Sequence, residues 1–191
     1  MQLVRPRVAI VGNAGSGKTT LARGLARVLR IARLELDDLV WHRDRRRHLV
    51  APPAVAAALD GFVAAHDDGG WVVEGVYTRW AARALRRRRG ELLVWLDVDA
   101  ALCAARVRAR ALPSAGFKSD AEREQRRAFV ERWAASYDSR ADADSRAGHG
   151  ALYDAHEGAK LRLSGGETEP EARLARVVAL LAPGVEGIHR D

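Results

Sequence analysis

Cysteine occurs once in this chain, and lysine supplies only three of its 32 basic residues. A single cysteine excludes an internal disulfide and any cysteine-cluster metal site; set within the apolar stretch ALCAARV, Cys103 reads as a small residue packing a helix. Long apolar runs are missing as well. None approaches the roughly eighteen residues that a membrane span requires, and MQLVRPRVAI passes into a strand-like pattern without the apolar stretch and cleavage site of a signal peptide. A cytoplasmic protein with no membrane partner is therefore expected. No repeat, low-complexity linker or composition break divides the chain, so residues 1–191 are expected to form a single domain around one continuous core.

The scarcity of lysine also changes what the charge means. A formal net charge of +7 would ordinarily point to nucleic acid, because clustered cations release counterions from a phosphate backbone. Here nearly all the positive charge is arginine in an alanine-rich chain, so the surplus reads as a residue-usage habit. The informative cations are those at special positions, and Lys18 is the first of them.

Short apolar runs alternate with longer amphipathic ones, the signature of strands and helices wound around a parallel sheet. RVAIV (7–11), RLEL (33–36), WVVE (71–74), ELLVWLD (91–97) and AKLRLS (159–164) read as five strands. Residues 17–30 place Leu21, Leu25, Val28 and Leu29 on one helical face, a second helix is predicted from about Pro53 to His66, and Thr168 with Glu171 forms a capping-box pattern ahead of a closing helix. Residues 113–144 are charged and poor in aliphatics, and read either as a solvated helix or as a cover over a polar site.

Between the first strand and its helix stands GNAGSGKTT. Gly12, then four residues, then Gly17, Lys18 and Thr19 match the phosphate-loop pattern in the strand-to-helix context that pattern requires. Glycines let successive backbone N–H groups turn inward on phosphate oxygens, and the helix start adds its positive dipole end. Gly12, Asn13, Ala14, Gly15, Ser16, Gly17, Lys18, Thr19 and Thr20 are thus expected to cradle ATP, with Lys18 at the β- and γ-phosphates and the Thr19 hydroxyl on Mg²⁺.

Two further motifs follow, LDDLVW (36–41) and WVVEGVYTR (71–79). Together with the phosphate loop they resemble the adenylate-kinase-like phosphate-loop kinase superfamily, and within it the small bacterial adenylate kinase-like and DNA topology modulation proteins. The resemblance implies a nucleoside monophosphate kinase-like α/β fold with a lid near residues 112–142 and an acceptor-side insertion near 38–66. It implies that Glu74 orients a magnesium-bound water, that Arg79 binds substrate phosphate, that Arg106 and Arg110 on one face of a helix grip the transferring phosphoryl group, and that Arg140 returns from the lid. It also places GETEPEAR along the adenine, with Gly165 and Gly166 allowing close approach of the ring. The absence of a cysteine cluster excludes a zinc-bearing lid, and HRDRRRHLVAPP (42–53) lacks the helix pair of a full nucleoside monophosphate site.

Asp37 and Asp38 stand where the second strand would end, at the carboxyl edge of the sheet facing the γ-phosphate, and acids there in related kinases accept or anchor the acceptor hydroxyl. Asp37 fits the motif as the base; Asp38 is a second acceptor-side acid or a cap for the next turn. A purely structural role for both remains open, and Trp41 is either a wall of the acceptor site or core. The expected activity is transfer of the γ-phosphoryl group of Mg²⁺·ATP to a nucleotide, nucleoside or hydroxylated metabolite. The alternatives are a nucleic-acid-associated ATPase, prompted by the arginine runs at 43–47 and 86–89, and a nucleotide-binding protein with little catalysis.

Overall fold

The computed structural model describes residues 5–41, 49–85, 91–110, 117, 119–164 and 169–181. Thr168, Gly165 and Gly166, both arginine runs and most of residues 111–118 lie outside them.

The element order is β1 (Arg7–Gly12), α1 (Lys18–Leu29), β2 (Ala32–Glu35), α2 (Asp37–Val40), α3 (Pro52–Ala65), β3 (Trp71–Gly75), α4 (Thr78–Ala84), β4 (Glu91–Asp97), α5 (Ala100–Ala109), α6 (Asp120–Ala135), α7 (Arg146–Ala155), β5 (Ala159–Ser164) and α8 (Pro170–Leu181). The five strands form one parallel sheet in the order β2-β3-β1-β4-β5. Every residue of β3 and β4 is buried, which explains why their sequences are continuous apolar runs rather than alternating ones. The edge strands β2 and β5 keep partial exposure.

Alternation along each strand sends side chains to opposite faces. Val8, Ile10, Val72, Leu92, Val94 and Leu96 join Leu21 and Leu25 of α1, Cys103 of α5 and Val177 of α8 in one core. Ala9, Val11, Val73, Leu93 and Trp95 join Leu36, Val55 and Leu59 of the α2–α3 segment and Trp80 of α4 in the other. Cys103 is the fully buried helix-packing residue that its apolar setting predicts. Among the described residues no helix is long and apolar enough to cross a membrane.

The second strand stops one residue earlier than its sequence suggests. Leu36 still donates its N–H to the Glu74 carbonyl at 2.8 Å, but its backbone has already turned helical and its side chain is wholly buried. It is also the N-cap of α2, which has no side-chain cap, so Asp38 does not cap this turn; it lies exposed in the first turn.

Helix α7 is absent from the sequence reading because Gly148 and Gly150 look like helix breakers. Both glycines serve close approach. A Cβ on Gly148 would lie 2.0 Å from the Ala143 carbonyl oxygen, and one on Gly150 would touch the Trp95 ring at 3.5 Å. Ser145 caps the helix by accepting the Gly148 N–H. Asp97, buried at the end of β4, pairs with Arg162 of β5 and, at 3.0 Å, with Arg146 of α7, which joins this last unit to the sheet.

A buried polar chain completes that junction. Trp95 donates to the Tyr137 hydroxyl (3.2 Å), which lies 2.8 Å from His149 Nδ1, while His149 Nε2 lies 2.8 Å from the Val76 carbonyl. A carbonyl only accepts and an indole only donates. Nε2 therefore carries the proton, Nδ1 accepts from Tyr137, and the imidazole is held neutral. Burial, with the nearby charges of Lys18 and Arg140, lowers the His149 pKa to about 4 against the opposing effect of the Val76 hydrogen bond.

Two stability predictions follow from this packing. Gly148→Ala should destabilise the fold by about 1–3 kcal/mol through overpacking, whereas Gly61→Ala should stabilise it by about 1 kcal/mol, because that exposed position in α3 has no atom within 4 Å of an added Cβ; urea unfolding of both variants measures the contrast. Because folded His149 titrates at about 4 and an unfolded histidine near 6.5, only the unfolded chain takes up this proton between those values. Stability should therefore be complete above about pH 6.5 and fall by up to about 3 kcal/mol towards pH 4. Unfolding of His149→Gln across that range should show a shallower pH dependence.

Candidate active site

The loop between β1 and α1 owes its path to glycines at positive φ. Gly15 (φ 82) runs so close to α5 that a Cβ would sit 2.4 Å from the Cys103 carbonyl, and Gly17 (φ 99) is the N-cap of α1. Residues 13–17 thus curl over the start of the helix with Lys18 in its first turn. The Lys18 ammonium is buried and donates to the Asn13 carbonyl at 2.8 Å, folding back across its own loop. Burial lowers its pKa, opposed chiefly by the charges of Glu74 and Asp37 and also by Glu35.

Two groups from late in the sequence, a backbone carbonyl and an arginine side chain, brace this loop. Asn13 is completely buried; its Oδ1 accepts the Ala14 N–H at 2.9 Å and its Nδ2 donates to the Ala134 carbonyl at the end of α6 at 2.8 Å. Arg173 of α8 is buried and donates to the Ser16 carbonyl at 2.7 Å. Neither contact is foreseeable from local pattern. Arg173 belongs to the GETEPEAR segment that the resemblance places along adenine; in the structure its guanidinium supports the phosphate loop.

Glu74 is buried near the end of β3, where its register partner is Glu35 of β2. Burial raises its pKa, while the Lys18 charge and a hydrogen bond from Thr19 pull it down. Its Oε1 is buried without a hydrogen-bond partner, and Arg33 Nη1, at 3.8 Å, lies beyond hydrogen-bonding distance. A buried carboxylate oxygen with no hydrogen bond and only this long ion pair to Arg33, beside the threonine expected on the metal, fits a magnesium ion bound through phosphates and water. No group of three or more His, Cys, Asp or Glu able to hold a metal unaided occurs among the described residues. Glu35 is a neighbour that sequence reading passes over, because its pairing with Glu74 depends on strand order.

Asp37 opens α2 at the carboxyl edge, exposed, and its charge reaches Lys18. Tyr77, just after β3, donates its hydroxyl to Asp37 Oδ1 at 2.6 Å and accepts from Trp41 Nε1 at 2.8 Å. Burial first, then the Asp37 charge, pushes the Tyr77 pKa well up, so the phenol remains a donor. The Tyr77 corner is clamped on both sides: His149 binds the preceding Val76 carbonyl, and Asp144 accepts from both the N–H (3.0 Å) and the hydroxyl (3.2 Å) of Thr78. Trp41 is half-buried, packs against the second core and is hydrogen-bonded to the Asp37 partner.

The arginines are more scattered. Arg79 is exposed in the first turn of α4, 4.8 Å over the ring of Trp80. Arg106 is half-buried on the last turn of α5, where its charge reaches the Cys103 thiol; Arg110 is the exposed C-cap of that helix, where the backbone becomes extended. Arg140 pairs with Asp142 at 3.0 Å, donates to the Asp144 carbonyl at 3.1 Å and stacks 3.7 Å over Trp133. The structure thus gathers Lys18, Thr19, Glu74 and Asp37 and leaves these four arginines on surrounding elements. It also brings in Arg126 of α6, whose guanidinium lies 5.1 Å over the Trp41 ring. Spacing singles out none of the α6 arginines, so no sequence signal marks this one.

A family model described as an AAA domain matches residues 8–127, which spans the phosphate loop, both acidic strand ends and the first part of α6. No curated protein sequence matches the chain. Among solved structures, a sugar kinase from Janibacter sp. is similar at TM-score 0.56 and 16% identity, covering 93% of this chain and 94% of its own. A gluconokinase from Sinorhizobium meliloti is similar at TM-score 0.52 and 14% identity, covering 93% and 92%. This chain belongs to the AAA domain family of phosphate-loop NTPases, and its fold is shared with the sugar kinase and the gluconokinase.

Proposed function

We propose that this protein is an ATP-dependent kinase that phosphorylates a hydroxyl group of a small polyhydroxylated acceptor. The observation that carries the proposal is the placement of Asp37: a carboxylate at the carboxyl edge of the sheet, in electrostatic reach of Lys18, with one oxygen held by Tyr77 and the other left for a hydroxyl. The sugar kinase and the gluconokinase among the structural neighbours support a sugar or sugar acid as the acceptor class rather than a nucleotide.

In this reading Lys18 exchanges the Asn13 carbonyl for phosphate oxygens and neutralises charge as the γ-phosphoryl group moves. Thr19 and Glu74 would hold a magnesium ion and its water, which supplies charge neutralisation between the β- and γ-phosphates when bound. Asp37 accepts the proton of the acceptor hydroxyl as its oxygen forms the new bond to phosphorus and the bond to the ADP oxygen breaks. Tyr77 keeps that carboxylate in one orientation, so the base is positioned before the acceptor arrives. Arg106 is the arginine best placed beside the loop to meet the transferring group, on the half-buried last turn of α5.

Mg²⁺·ATP offered with sugars, sugar acids, polyols, nucleosides and nucleoside monophosphates should yield ADP and a phosphorylated sugar or sugar acid. Lys18→Ala should lower kcat by at least about 10²–10³-fold and Asp37→Asn by about 10²–10⁴-fold, with folding unchanged by circular dichroism. Undiminished transfer by Lys18→Ala, or ATP binding without transfer to any acceptor, would defeat the proposal.

A further inference from the structure

Helix α6 carries Arg123, Arg126, Arg127 and Arg132, and their surroundings differ. Arg123 pairs with Asp120 at 2.8 Å, Arg127 pairs with Glu124 on the same helix, and Arg132 is exposed. Arg126 is half-buried with its guanidinium over two aromatic faces, Trp41 at 5.1 Å and Phe129 at 5.5 Å, and has no carboxylate partner among the described residues. Stacking stabilises a guanidinium without neutralising it and leaves its planar fork of N–H donors available for an oxyanion. A partly desolvated cation with no counter-ion is a site in want of an anion.

Its position gives that anion a chemical identity. The ring beneath Arg126 belongs to Trp41, whose Nε1 donates to the Tyr77 hydroxyl, which in turn donates to Asp37 Oδ1. One indole and one phenol therefore separate the free cation from the base of the proposed reaction. Charges on the sheet edge itself are mostly negative, with Glu35, Asp37, Asp38 and Glu74 close together in the fold, and Arg33 of β2 is already paired with two of them, Glu35 at 3.6 Å and Glu74 at 3.8 Å. An anionic acceptor entering there needs a cation from outside the sheet, and α6, tied at its far end to the phosphate loop through Asn13 and Ala134, delivers Arg126 to the acceptor side.

We propose that Arg126 determines acceptor specificity by pairing with a negatively charged group, a carboxylate or a phosphate, carried by the acceptor several atoms from the hydroxyl that is phosphorylated. This rests on the kinase reading above and narrows it: the acceptor is a hydroxylated anion such as a sugar acid or a sugar phosphate, and neutral sugars are poor substrates.

The test compares gluconate and glucose 6-phosphate with glucose and sorbitol, using the full chain, Arg126→Gln and Arg126→Lys. The wild type should favour one of the two anions over both neutral compounds, and which anion wins tells carboxylate from phosphate. Arg126→Gln should raise KM for that anion on the order of 10–100-fold, the loss expected for one charged hydrogen bond, while KM for ATP stays as in the wild type. Arg126→Lys should recover part of the loss. A rise in the KM for ATP, an equal loss on anionic and neutral acceptors, or no change in Arg126→Gln would overturn the assignment. Preferred turnover of neutral sugars by the wild type would overturn it while leaving the kinase reading intact, whereas no transfer to any acceptor would remove both.

Discussion

A lysine ammonium buried where strand β1 gives way to helix α1 sets the terms for everything around it. Lys18 is charged, nearly out of water and held by a carbonyl of its own loop, with Glu74, Asp37 and Glu35 in electrostatic reach. Such a charge is tolerable only where opposing charge and backbone dipoles surround it. The parallel sheet supplies that setting, because the carboxyl ends of β1, β2 and β3 all open on one edge and bring their terminal acids there together. ATP phosphates would enter a site already arranged for charge, with an acidic acceptor side and a cationic loop.

That arrangement is rigid because the second half of the chain braces it. Asn13 reaches the end of α6, Ser16 is held by Arg173 of α8, Val76 by His149 of α7 and Thr78 by Asp144 just before it. Each contact takes a polar group from a loop of the active edge, a side-chain amide at Asn13 and backbone groups elsewhere, and satisfies it with a side chain or carbonyl from far along the sequence. Loops at a sheet edge otherwise show their polar backbone to water and move. Here Tyr77 is held on both sides, and its hydroxyl fixes Asp37 in turn. The buried histidine serves this bracing as a neutral hydrogen-bonding group.

Helix α6 has two jobs with different chemistry. Its last turn anchors the phosphate loop through the Ala134 carbonyl, and its middle lays Arg126 across Trp41. One element therefore touches both the phosphate loop and the Trp41–Tyr77–Asp37 chain. Its pairs Arg108–Glu131 and Arg127–Glu124 keep it charged towards water, which accounts for a helix with so few aliphatics.

What the sequence by itself determined is what depends on neighbours along the chain. The apolar runs defined the five strands, the GNAGSGKTT spacing defined the phosphate loop, and the position of Asp37 and Glu74 at strand ends placed them on the ligand edge once the sheet was parallel. Backbone periodicity and turn geometry carry these, so they can be read locally. What only the tertiary structure decided depends on which distant segments meet: the Glu35–Glu74 pairing across β2 and β3, the Trp41–Tyr77–Asp37 chain, the bracing by Arg173 and His149, and the stacking of Arg126 on Trp41. In a chain so rich in arginine, composition hides the functional cations. Burial and the identity of each partner distinguish them, and both exist only after the sheet has brought the ends of its strands together.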